Sequence, residues 1–120
     1  MDIFLYPDAE NFSKGYHIIV NTRRVIYDAT TTRDSLEEDT SWTCHPYVGF
    51  RHEKGYWIMD ISIPFKDIGI EDPDFAGPIA ANFYRNRFRD GAMGCSCWNP
   101  TNMNIYNVPE KFGRLNPKWD

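Results

Sequence analysis

The segment "YWIMDISIPF", residues 56–65, alternates apolar and polar side chains with a period of two. Trp57, Met59, Ile61 and Ile63 share one side while Tyr56, Asp60 and Ser62 share the other, which predicts a strand with one face on a core and one in water. Pro64 lacks the N–H that a ladder requires, so the strand ends there. The following "FKDIGIED" reads as one helical or irregular turn ended by Gly69.

The rest of the chain repeats this strand pattern. "MDIFLY", "YHIIVN" and "RVIYDA" are short runs rich in Ile, Val, Tyr and Phe, and the last two are close enough across Thr22-Arg23 to form a tight hairpin. "GPIAANFYRNRF" and "AMGCSCW" flank Asp90-Gly91, a dipeptide suited to the positive φ angles of a two-residue hairpin turn. Many short strands without a long helical period predict an all-β sandwich or barrel. With 120 residues, one domain spanning 1–120 is expected. The stretch "TTTRDSLEEDTS", residues 30–41, is polar and aperiodic, and reads as an exposed loop with one helical turn at "RDSLEED". "MDIFLY" looks like an interior strand with nothing before it to pair with, so a truncated domain with an exposed strand edge is expected.

Charge and motifs exclude several functions. A formal net charge of −4 repels nucleic acid and anionic lipid. Arg85, Arg87 and Arg89 share one side of a strand, but in an acidic chain they are expected to pair with carboxylates such as Asp90 or Asp60. No apolar run reaches the length of a membrane span, and Met1 leads into "MDIFLY" without the regions of a signal peptide. Cys95 and Cys97 fall on one face of a strand about 7 Å apart, which suits neither a relaxed disulfide nor an isolated zinc site. Small thiols, a Cys44 disulfide and a metal role remain open for the three cysteines. His17, His45 and His52 lack metal-binding spacing, and there is no nucleophile elbow or phosphate loop, so catalysis finds no support.

Aromatic residues make up 16% of the chain. The order "DIFLYPD", "GYHIIVN", "VIYDA", "YWIMDISIPFKDIGI", "ANFYRNRFRDG", "CWNPT" and "PEKFGRLNP" resembles the carbohydrate-binding modules of family 9 and the broader family-9-like group. The resemblance covers nearly the whole chain. Its most specific parts are "SIPFKDIGI", "NFYRNR", "WNPT" and "KFGRL" in sequence. It implies an antiparallel β-sandwich, jelly-roll or immunoglobulin-like, that is secreted or periplasmic and binds sugar without cleaving it, commonly attached to a glycoside hydrolase. It also implies strands upstream of "DIFLYPD", with an aromatic wall of the sugar site that is missing here.

Carried over by position, the resemblance makes Trp98 a stacking wall. Asp2 is an acceptor for sugar hydroxyls, His17 a polar contact, and Arg24 a planar donor that pairs with Asp2. These types suit a pyranose, which presents an apolar C–H face and a rim of hydroxyls. Each has an ordinary alternative. Trp98 can plug a core, Asp2 can be a solvated terminal residue, Arg24 can pair with Asp28, and His17 can be a satisfied strand histidine. Trp57 belongs to the core by its periodicity, whereas Trp42 is unplaced and Trp119 lies near a frayed end. No cofactor is required, although relatives hold structural calcium, and "DPD" at 72–74 or "PDAEN" at 7–11 offers oxygens.

Two other readings stand beside the sugar module. One is a haem-binding redox sandwich, for which Met59, Met93 and Met103 with His17 or His45 supply ligand types. The other is a structural or interaction fragment that self-associates through the "MDIFLY" edge.

Overall fold

The computed structural model describes residues 1–33, 35–102 and 105–117. It is an all-β fold of antiparallel strands: β1 (Asp2–Tyr6), β2 (Gly15–Val20), β3 (Ile26–Thr31), β4 (Glu38–Asp39), β5 (Tyr47–Glu53), β6 (Tyr56–Ser62), β7 (Ile79–Arg89), β8 (Ala92–Cys97) and β9 (Gly113–Leu115). The larger sheet has the order β4-β3-β2-β1-β7-β8, with β9 pairing β7 beyond the end of β8. The hairpin β5–β6 forms the second sheet. Val48, Met59 and Ile61 of that hairpin pack against Ile3, Leu5, Ile18 and Ala81 of the large sheet, which makes the two-layer sandwich.

The hairpin turns follow from their residues. Asp90 and Gly91 take φ of 52° and 76° between β7 and β8, the left-handed pair that a tight antiparallel turn requires. Between β2 and β3, Asn21 Oδ1 accepts from the N–H groups of Arg23 and Val25, and Arg24 sits at φ 62°. After β6 the predicted turn is a single 3-10 turn, Phe65–Ile68, ended by Gly69 at φ 78°.

Two expectations are corrected. The strand "DIFLY" leaves no free edge: β1 pairs β2 on one side and β7 on the other, so it is the interior strand its composition demands. The stretch 30–41 is not one exposed loop, because Thr30 and Thr31 are buried in β3 and Glu38–Asp39 add a short strand to it. No helical turn is assigned at its described residues; Asp34 lies outside them.

Register decides the contents of each face. Ile3, Leu5, Tyr16, Ile18, Ala81 and Phe83 point toward the β5–β6 hairpin. Asp2, Phe4, Tyr6, His17, Asn82 and Tyr84 point the other way. That second side is covered by the segments carrying Phe12 and Phe112, whose rings pack on Phe4 and Tyr6. Asn82, fully buried, bridges the gap where β8 gives way to β9: its amide donates to the Asn99 carbonyl at 2.6 Å and its Oδ1 accepts the Asn99 N–H at 2.9 Å. These bonds replace the ladder bonds the interrupted edge lacks.

Candidate functional site

Asp2, His17 and Glu38 come from three strands and meet on the face opposite the hairpin. His17 lies beside Phe4 in the register, and Glu38 faces it from beyond β3, where it pairs with Thr31. The Nε2 of His17 is 2.9 Å from Asp2 Oδ1 and its Nδ1 is 2.7 Å from Glu38 Oε2. A ring with a carboxylate oxygen at each nitrogen makes both bonds only as the imidazolium, because both nitrogens must then donate. Burial pulls the His17 pKa down, but the bonds and charges of Asp2 and Glu38 outweigh it and hold the pKa above the ordinary 6.5. The cluster therefore carries two negative charges against one positive.

The neighbouring groups immobilise this cluster. Asn86 Nδ2 donates to the second oxygen of Asp2 at 2.7 Å, and the Tyr27 hydroxyl donates to Glu38 Oε1 at 3.2 Å. The Tyr106 hydroxyl lies 3.0 Å from Asn86 Oδ1 and 2.9 Å from Cys95 Sγ, and its ring lies flat on Tyr84 with centroids 4.1 Å apart. A second anchor is Asn107. Its Oδ1 accepts from the Tyr6 hydroxyl at 2.6 Å, and its amide donates to Thr31 Oγ1 at 3.0 Å and to the Thr32 carbonyl at 2.7 Å.

Between these groups is an open cavity of about 310 Å³ lined by Phe4, His17, Leu36, Glu38, Tyr106 and Asn107, together with Thr31, Ser35 and Ile105. It combines aromatic and aliphatic walls with one fixed carboxylate, the arrangement of a small-molecule seat. On the other side of the sheet, a cavity of about 420 Å³ between the two layers is lined by apolar side chains, Trp57, Met59 and Phe83 among them.

The four residues expected to form the site do not assemble together. Asp2 and His17 do meet, and Asp2 is buried rather than a solvated terminal residue. Arg24 does not pair with Asp2, because the turn holds it exposed at the hairpin tip while Asp2 is occupied by His17 and Asn86. Nor does Arg24 take Asp28, whose carboxylate accepts the Cys44 N–H at 2.8 Å. Trp98 is separated from Asp2 and His17 by the sheet. Its N–H donates to the Phe83 carbonyl, its ring packs 5.8 Å from Phe83, and it lies over Gly113 with 47% of its surface exposed.

Trp57 lines the inter-layer cavity under the Arg85 guanidinium, and Trp42 packs on Tyr16 while donating to the Asp67 carbonyl. Arg89 lies 3.8 Å from Asp90. Cys44, Cys95 and Cys97 are free thiols. Asp8 accepts from the N–H groups of Glu10 and Asn11 and from the Ser13 hydroxyl, and Asp72 accepts from the Asp74 N–H, so in each loop offered for calcium one carboxylate is bonded within its own loop. Among the described residues no group of three or more His, Cys, Asp or Glu is placed to hold a metal ion, and no helix is long and apolar enough to cross a membrane. Trp119 and Met103 lie outside the described residues.

Glu38, Asn86, Tyr106 and Asn107 were not among the expected site residues. Glu38 sat in a polar run with no period, and Tyr106 and Asn107 followed the last expected hairpin without a strand pattern. Comparison with protein-family models, with curated proteins and with solved structures gave no match.

Proposed function

We propose that the chain is a non-catalytic carbohydrate-binding domain whose ligand sits in the cavity beside His17. The observation that carries this reading is Glu38, a carboxylate gripped by His17 and Tyr27 at the wall of a cavity that Tyr106 also lines. A sugar needs a rigid acceptor for its hydroxyls and a flat ring for its C–H face, and Glu38 and Tyr106 supply the two. Trp98, on the opposite face, belongs to packing in this reading. An extracytoplasmic setting and attachment to a glycoside hydrolase rest on the resemblance to family 9 alone.

The chemistry of the cluster favours binding over catalysis. Both carboxylates are tied to a charged imidazole, so neither is presented as the protonated acid that glycoside cleavage requires. The haem reading loses the pairing of His17 with Met59, since both nitrogens of His17 are engaged and Met59 lies across the sheet from it. The interaction reading loses the edge it relied on, because β1 is paired on both sides.

Calorimetric titration with a panel of mono- and oligosaccharides tests the assignment. Saturable binding that is weakened in Glu38→Gln, lost in Tyr106→Ala and kept in Trp98→Ala supports it. Binding lost only in Trp98→Ala moves the site to the other face, and no heat with any sugar removes the reading.

A further inference from the structure

The cavity beside His17 has acceptors to offer and few donors. Both N–H groups of His17 are used on Asp2 and Glu38. The amide of Asn107 is turned to Thr31, to the Thr32 carbonyl and to the Ser35 carbonyl. The Thr31 hydroxyl donates to the Thr32 carbonyl, the Ser35 hydroxyl to the Glu37 carbonyl, and the Tyr106 hydroxyl faces Asn86 and Cys95. Among the described lining residues there is no lysine or arginine.

Glu38 is different. A carboxylate has about four lone-pair positions. Among the described residues those of Glu38 are met by His17 and Tyr27, and 23% of its side chain is exposed. The nearby charge sums to one net negative, with Asp2 and Glu38 set against the His17 imidazolium. A ligand carboxylate placed here would lose its hydration and meet a like charge, and the one cation of the lining, the His17 imidazolium, already spends both N–H groups on Asp2 and Glu38. A ligand ammonium would gain both a charge partner and an acceptor.

Resting on the sugar-binding reading, we propose that this cavity is a seat for an amino sugar, preferring a free 2-amino hexose over the neutral hexose and rejecting the uronic acid. The selecting group is Glu38. Its carboxylate takes the ammonium, while the aromatic and aliphatic walls take the ring.

The test is calorimetry on the whole chain with matched sets in the gluco, galacto and manno series, each comprising the neutral sugar, its 2-amino form and its uronate. In a series that binds, the amino sugar is expected to bind about ten-fold tighter than the neutral one, equivalent to about 1.4 kcal/mol, and the uronate at least ten-fold weaker. Glu38→Gln is expected to weaken binding of the amino sugar most and so to collapse this ranking. The ranking in wild type decides the matter even where that variant fails to fold. An amino sugar no tighter than its neutral partner, or a uronate as tight as it, overturns the preference and leaves the sugar reading standing. No binding in any series removes both.

Discussion

The imidazole of His17 lies flat against the ring of Phe4, with centroids 4.0 Å apart and planes 11° from parallel. Stacking fixes the ring plane, and the plane aims the two nitrogens in opposite directions, at Asp2 and Glu38. An aromatic contact thus sets the geometry of an electrostatic one. The Phe4 ring is in turn held by Tyr84 and Phe112, each with its centroid 6.0 Å away, so the site rests on the aromatic core of this face.

The folded pKa of His17 is raised above its ordinary 6.5, so its stabilisation is fully present below about pH 6.5 and is lost as pH rises through the folded value. The groups facing the ring are Asp2, Glu38 and Tyr27. Cys44 acts with the same sign only above about pH 9, because burial pushes its thiol from 9.0 up to about 11. Urea midpoints measured at steps between about pH 6 and 9 should therefore fall, and His17→Gln should flatten that fall. An equal slope in the variant assigns the loss elsewhere.

Removing one carboxylate should cost more than removing a surface charge. Asp2 is buried, and Asp2→Ala leaves both His17 Nε2 and Asn86 Nδ2 without their acceptor. A loss of roughly 3 kcal/mol is expected, as for other broken buried pairs. Chemical denaturation measures it, and a cost under about 1 kcal/mol would mean that water replaces the carboxylate.

Much of this fold could be read from the chain because local signals and tertiary structure agree. The alternation of Trp57, Met59 and Ile61 shows which residues face the core, and Asp90-Gly91 announces its turn. The site was less legible. Asp2 and His17 belong to neighbouring strands and a pattern could bring them together, but the side on which Trp98 falls depends on the register of β8 against β7. One residue of slip reverses a face, and no local signal fixes it at that precision. Glu38 was hidden for another reason. Only its two-residue pairing with β3 carries it to His17, 21 positions away, and so short a strand has no period to read.

Asn107 should prove a structural keystone of the cavity. It is buried and joins Tyr6 of β1 to the segment after β3, through bonds to Thr31, Thr32 and Ser35. Asn107→Ala removes the acceptor that takes the Tyr6 hydroxyl at 2.6 Å and the donor that serves Thr31, Thr32 and Ser35, with an expected cost of about 2 kcal/mol. Amide exchange should quicken at Thr32 and Ser35 more than in β5 and β6. Uniform quickening across both sheets would mean that the variant lowers global stability without loosening this segment in particular.

A Cβ at Gly113 would run into the far edge of the Trp98 indole and into the Asn99 side-chain amide, so the two side chains share the space that glycine vacates. Gly113→Ala must push the ring outward or strain β9, and overpacking of this kind costs about 1–3 kcal/mol. In Trp98→Leu the same Gly113→Ala change should cost less, because the obstructing ring edge is gone and the Asn99 amide alone is left to shift. A double-mutant cycle in chemical denaturation would then give a coupling above about 0.5 kcal/mol, as expected for residues in contact. Additive effects would show that the indole moves aside freely, and would restore Trp98 as a candidate for stacking on a ligand.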